Sequence, residues 1–410
     1  MNAKKLFWLL FLLNLFNYID RQVLFSVFPL LQADLHITDT QLGTLASVFM
    51  LVYMLYAPLV GYFADRTQRQ KWMGASALIW SAATMACAWV KNYAALLTAR
   101  GLIGVGEAGF TTIAQPFLAE NFPKEKRATL LAYFALALPI GSALGYLAGG
   151  VIGQHWGWRA AFMLVGVPGL FLGLLALTQI KDTFRLTQSP RDRARRVDYL
   201  ILLRNKAFIF LCLAHAMGTF ALGGFSAWLP TYFHRFWGFS VSRAGLVFGA
   251  MVVVCGALGT FFGGKLADKL LKKTHLAYFI TIFASFLLAF PFAAGAVFCA
   301  KLLPALLLLA GGIVCIFLPM GPISAALVAL TRTRVRSMAF AVNIFIIHAL
   351  GDAVSPVLLG KASDIWGLKT AILFCSFAVL PACLFTLCSA WFARKSGRLR
   401  EYLTPKMEVK

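Results

Sequence analysis

Of the 410 residues, 60% are hydrophobic, 14% aromatic and only 13% charged, while the formal net charge is +23. No soluble domain needs that much apolar surface, so a soluble enzyme or binding module is excluded and the class is integral membrane protein. Nucleic-acid binding is excluded too, because the basic residues lie in alternate loops rather than on one domain.

Twelve apolar stretches are long enough to cross roughly 30 Å of hydrocarbon as helices: 6–31, 41–64, 72–90, 93–119, 128–153, 158–180, 207–233, 243–267, 276–299, 303–330, 337–360 and 369–393. The expected architecture is therefore an all-α membrane protein of twelve transmembrane helices. Loops on the side of both termini hold 29 Lys and Arg and those on the other side 7, which predicts cytoplasmic termini. The basic start and short apolar core of the first stretch resemble a signal peptide, but no small-residue cleavage site follows and the segment is expected to stay as a helix. With no signal and no long termini, a bacterial inner membrane is the expected location. All eight cysteines lie in or beside apolar stretches without ligand spacing, so no metal, cofactor or disulfide framework is expected.

The first stretch carries Asn17-Tyr18-Ile19-Asp20-Arg21-Gln22 at its middle. An acid or base at such a depth costs about 2.5–3.5 kcal/mol, so it persists where a polar interior or a function requires it. The second stretch ends in Gly61-x-x-x-Asp65-Arg66-x-x-Arg69. Asp65 is placed to meet the positive N-terminal end of segment eleven near Ser337 and to close the cytoplasmic face together with Gly61 and Arg66. In the fourth stretch Arg100 and Glu107 are spaced i, i+7 and share a helix face. With Asp20 and Arg21 they form one polar knot of zero net charge. It is either a structural salt-bridge set or a site where Asp20 or Glu107 binds a proton while Arg21 or Arg100 competes for the carboxylate. Pro139, Gly141, Gly145, Gly149 and Gly150 in the fifth stretch point to close helix packing.

The loop 182–206 divides six stretches from six and contains Arg191-Asp192-Arg193-Ala194-Arg195-Arg196; it reads as a solvated linker or an anionic-lipid contact, with Val197–Leu203 apolar enough to lie on the membrane. The expected domains are 1–181 and 207–396, with a tail at 397–410. The halves repeat: Gly61 to Arg66 reappears as Gly264-Lys-Leu-Ala-Asp268-Lys269, Pro29 as Pro230, and Gly157-Trp158-Arg159 as Gly367-Leu368-Lys369. Two pseudo-symmetric six-helix bundles with a midplane site between them are expected. By the same offsets Asp20 and Arg21 correspond to Ala221 and Leu222, and Arg100 and Glu107 to Leu309 and Ile316. One wall is therefore expected to be charged and the other apolar and aromatic, through Phe220, Phe225, Trp228 and Tyr232. Such a cavity suits an amphiphile, headgroup to the charges and acyl chain to the aromatics, with Tyr18 on the charged side. His348 and Asp352 share a helix face at i, i+4, as a local hydrogen-bonded pair or a second cargo-contacting site. His215 is expected to make an internal hydrogen bond.

The duplicated loop at Gly61 and Gly264 resembles the signature loops of the major facilitator superfamily. Asn17 to Gln22, Arg100-Gly-Leu-Ile-Gly-Val-Gly-Glu107, Pro139-Ile-Gly-Ser-Ala-Leu-Gly-Tyr146 and His348-Ala-Leu-Gly-Asp352-Ala-Val-Ser-Pro356 together resemble the Spinster family of lipid transporters; the first two also resemble the organic-anion symporters. The resemblance implies the major facilitator fold, a monomer working by alternating access, and loops at Gly61 and Asp268 that act as a cytoplasmic latch. The expected function is proton-coupled transport of a lysophospholipid or sphingosine-phosphate-like amphiphile, with protons and membrane lipids as the other partners. A small organic-anion symporter, a drug exporter and a lipid-binding protein without turnover are the alternatives. An enzyme is not expected, since no nucleophile elbow, phosphate loop or metal motif is present.

Overall fold

The computed structural model describes residues 3–64, 66–122, 124–180, 202–331 and 335–395, and the regular structure among them is helical. The first crossing is α1 (Ala3–Ser26) continued by α2 (Phe28–Leu35). The break at Val27 follows from Pro29, which has no N–H to continue the ladder. Crossings two to four are α3 (Asp39–Ala64), α4 (Arg69–Ala86) and α5 (Tyr93–Glu120). Next α6 (Lys124–Ala135) leads into α7 (Ala137–Gln179). At 43 residues α7 is too long for one crossing, and it is divided at Gly157, whose φ of 83° and ψ of 158° are open to glycine alone.

The second half begins with α8 (Lys206–Trp237), α9 (Val241–Leu271) and α10 (Ala277–Phe298). Crossing ten is α11 (Leu302–Phe317) and α12 (Met320–Leu330), parted at Pro319 where an unbroken stretch was expected. Crossing eleven is α13 (Arg336–Ile347), a π turn at His348–Asp352, and α14 (Ser355–Trp366); crossing twelve is α15 (Leu368–Phe377) and α16 (Val379–Lys395). Eight helices among the described residues are long and apolar enough to span a membrane. Crossings one, three and four fall outside that set, and they carry the polar interior. The duplication is legible in the backbone: Gly367, the counterpart of Gly157, has φ 81°.

By contacts, the chain divides into two units that do not follow the duplication. One holds the described residues of 1–188 with 226–253 and 356–368; the other holds those of 189–225, 254–355 and 369–410. In the first unit α7 presents Gly141, Gly145 and Gly149 to α1, where added Cβ atoms would lie 2.7 Å from the Leu15 carbonyl, 2.6 Å from that of Ile19 and 2.9 Å from that of Val23. This four-residue ladder lets the two backbones touch and fixes the depth and rotation of the helix that carries Asp20. Gly104 and Gly106 do the same for α5, against the Phe49 carbonyl of α3 and the Trp80 amide of α4. The second unit uses the same device where Gly263 of α9 meets the Leu318 carbonyl.

Candidate functional site

Four helices of the first unit converge on the polar knot. Asp20, Arg100 and Glu107 are 2%, 1% and 0% exposed, whereas the Arg21 side chain keeps 15%. Arg21 Nε donates to Glu107 Oε2 at 2.6 Å. Its guanidinium carbon lies 5.1 Å from the Tyr18 ring, 5.2 Å from Phe49 and 5.0 Å from Tyr53, within reach of cation–π attraction. Arg100 stands 5.1 Å from the same Phe49 ring and donates through Nε to the Leu45 carbonyl at 3.4 Å. One aromatic ring thus carries both guanidiniums. Asp20 Oδ2 accepts from Thr84 Oγ1 at 3.2 Å, and Arg100 lies within electrostatic reach of its carboxylate.

The four charges lie within electrostatic reach of one another, as expected of one set, and hydrogen bonding divides them unequally: Arg21 pairs with Glu107, while Asp20 bonds the Thr84 hydroxyl and Arg100 the Leu45 carbonyl. Breaking one buried pair costs about 3–5 kcal/mol because it strands the remaining charge. Thr84, Phe49 and Tyr53 are contributors that sequence reasoning missed. Their signal was faint, since a Thr or an aromatic residue on an apolar stretch is ordinary. Tyr53 is placed by a 2.7 Å hydroxyl contact to Thr111, whose own hydroxyl bonds the Glu107 carbonyl at 2.9 Å.

At the face away from the termini, the ends of α8 and α14 pack against the first-half helices within this same unit. Asp39, at the start of α3, accepts from Arg235 Nη1 at 2.7 Å and Nη2 at 2.6 Å, from Gln32 at 3.0 Å, and from the Ser363 hydroxyl. Asp364 accepts from the Asp39 and Thr40 amides at 2.9 and 2.8 Å and from Thr40 Oγ1 at 2.6 Å, so a residue of crossing eleven caps crossing two. A Cβ on Gly43 would overlap the Pro356 carbonyl. Trp228 is enclosed here, its indole donating to the Pro356 carbonyl at 3.0 Å and packing on Phe28 at 5.3 Å, and Tyr232 is buried beside it. Asp39, Arg235 and Asp364 were not singled out by sequence, because each is an ordinary loop-end charge until the fold brings residues 324 apart together.

In the second unit Ala221, Leu309 and Ile316 are buried and apolar. Polar groups also gather there, at His215, His348 and Asp352 as the sequence suggested and at Asn343, which it did not single out. His215 Nδ1 lies 3.2 Å from the Asn343 amide, and His348 Nδ1 lies 2.9 Å from Asp352 Oδ1 across the π turn. Gly223 of α8 makes room for Asp352, since a Cβ there would stand 2.8 Å from the aspartate Cβ. Phe220 is half-buried and Phe225 buried. Among the latch residues, Gly61 packs near Thr112, Arg66 folds back on the Tyr62 carbonyl at 2.8 Å, and Asp268 is exposed. Asp65, the side chain of Ser337 and most of the 182–206 linker lie outside the described residues. Arg69 of the same motif is buried and paired with Glu120 at 2.6 Å. No group of three or more metal-ligating side chains occurs among the described residues.

These crossings and their twofold glycine-marked repeat are those of a membrane transporter with the major facilitator fold, and the Major Facilitator Superfamily model matches residues 10–356. Sphingosine-1-phosphate transporter SPNS2 of Danio rerio is 30% identical over 425 residues, covering 92% of this chain and 82% of its own length. Probable sphingolipid transporter spinster homolog 2 of Arabidopsis thaliana is 28% identical, covering 92% and 85%. A crystal structure of a bacterial homolog of the human lysosomal transporter Spinster, inward-facing and unoccupied, superposes with a TM-score of 0.86 at 20% identity, over 96% of this chain and 98% of that one. The chain belongs to the Spinster family of the Major Facilitator Superfamily: it is a multi-pass transporter and not an enzyme.

Proposed function

We propose that this protein is a proton-coupled transporter of amphiphilic lipids with an anionic headgroup, of the lysophospholipid or sphingosine-phosphate kind. It works by alternating access between bundles 1–181 and 207–396, as a monomer in a bacterial inner membrane with both termini cytoplasmic. The observation that carries the reading is the unequal knot. Arg21, the one member with appreciable exposure, is committed to Glu107, while Asp20 takes its hydrogen bond from the Thr84 hydroxyl and forms no such direct pair with Arg21. A proton on Glu107 removes the charge that holds Arg21 and frees the guanidinium for a phosphate or carboxylate headgroup; Asp20 holds the site's balance of charge while Arg21 is engaged. Aromatic rings on three sides keep Arg21 aimed as its partner changes. A membrane potential of 100 mV adds about 2.3 kcal/mol for each charge moved, enough for modest accumulation or export. The sphingolipid transporters among its relatives support the lipid class.

The test is movement of labelled lysolipid or sphingosine phosphate in proteoliposomes under a pH gradient of either sign. Wild type is expected to respond to the gradient, and Asp20→Asn and Glu107→Gln are each expected to lose the response while still inserting and folding. Normal gradient-driven transport by both variants overturns the coupling. The polar groups His215, Asn343, His348 and Asp352 of the second unit favour a second reading, symport of small organic anions. Competition by water-soluble carboxylates separates the two.

A further inference from the structure

Asn17 is fully buried one turn before Asp20 on α1, and neither its amide nitrogen nor its amide oxygen has a hydrogen-bond partner. Each carboxylate of the knot also keeps one oxygen without a partner, Oδ1 of Asp20 and Oε1 of Glu107. The Asn17 side chain stands beside Glu107, and its i, i+3 spacing places it over Asp20 on the same side of α1. Three neighbouring groups with complementary hydrogen-bonding needs are therefore enclosed together. Leaving a buried polar atom unmet costs about 1–3 kcal/mol each, so such a group persists where it is engaged in some state of the protein.

We propose that Asn17 is the positioning residue that sets which carboxylate of the knot takes the proton. Its NH2 donates to one acid at a time and so holds that acid in its charged form, while its carbonyl accepts from the other acid when that one is protonated. Arg21 and Arg100 cannot serve this role, because a guanidinium only donates and cannot accept from a protonated acid, and Thr84 bonds Asp20 and not Glu107. The charged and titratable groups around the two acids are Arg21 and Tyr18 on α1, Tyr53 on α3, Cys87 just beyond α4, and Arg100 on α5. The contacts of α7 with α1 run from Gly141, Ser142 and Gly145 to Leu15, Tyr18, Ile19 and Gln22, and none of these three α7 residues titrates. Asn17 thus supplies a neutral group that can both donate and accept between two acids whose other described neighbours are cations, hydroxyls, rings and the Trp80 indole N–H, which only donates.

This inference rests on the proton-coupled reading, and its test separates the two. Asn17→Leu keeps the shape of the side chain and removes both polar ends; Asn17→Ser keeps a smaller donor and guards against misfolding of the first variant. Purified wild type and variants are titrated by infrared difference spectroscopy at the protonated-carboxyl stretch, and transport is measured against pH in proteoliposomes. Without the amide donor, the carboxyl midpoint and the transport profile are expected to move together toward alkaline pH by about one unit, a tenfold change in proton affinity, with Asn17→Ser in between. Coincident midpoints in wild type and Asn17→Leu, or a shift toward acid, overturn the assignment of Asn17 and leave proton coupling standing. Absence of any titrating carboxyl band in the wild type overturns both.

Discussion

Arg21 concentrates more of the site's physics than any other residue. It bonds Glu107 through Nε and faces three rings, a geometry that needs a flat, delocalised cation. Arg21→Lys keeps the charge and loses both features. A hydrogen bond to a charged group contributes about 1.5–3 kcal/mol, so transport at saturating cargo is expected to fall tenfold or more while expression and folding are unchanged. A lysine variant with wild-type turnover would show that charge alone suffices. The four charges could be read from the sequence because they are expensive where they stand. Their division into one ion pair and two separately held groups could not, since it depends on which neighbour each side chain reaches across helices.

At the scale of the helical element, the positions that govern packing are glycines. The ladder of Gly141, Gly145 and Gly149 was visible as a repeat of small residues. Its partner helix was not, because spacing tells which face is small and not what lies against it. Gly157 and Gly367 show the reverse case: the duplicated Gly-Trp-Arg and Gly-Leu-Lys pattern marked equivalent positions, and both carry φ above 80°. Gly157→Ala is expected to destabilise the protein by about 1–3 kcal/mol, because the side chain disfavours that backbone and not because it meets an obstacle, there being nothing within 4 Å. A lowered midpoint of thermal unfolding in detergent checks it, and an unchanged midpoint would mean that the turn relaxes. The breaks at Val27 and Pro319 have visible prolines as their cause, whereas the π turn at His348 holds no proline and its stretch reads as one unbroken helix.

On the scale of the whole molecule, twelve crossings and an internal duplication followed from the alternation of apolar stretches and basic loops. What composition did not reveal is the network at the face away from the termini. Trp228 and Tyr232 read as cavity aromatics because they lie on an apolar segment, yet Trp228 is locked against Phe28 and the Pro356 carbonyl. A transporter that exposes its site to each side in turn must undo that packing in every cycle, and Asp364 is the residue whose removal costs it most directly. In Asp364→Ala, the Asp39 and Thr40 amides lose their acceptor, and exchange of backbone amides at residues 39–44 is expected to accelerate at least tenfold in hydrogen–deuterium measurements, with residues 93–100 unaffected. Equal rates in variant and wild type would show that the remaining contacts of Asp39 hold the face shut unaided.

The capping of α3 by Asp364 carries a further consequence. The first amides of a helix need an acceptor at all times, and here the acceptor belongs to a different crossing. Whenever crossings two and eleven separate, molecules from the surrounding solution must take over those two amides and the carboxylate at once. Release of this contact is therefore a hydration event, and the ease with which this face opens is tied to how readily its surroundings can wet it.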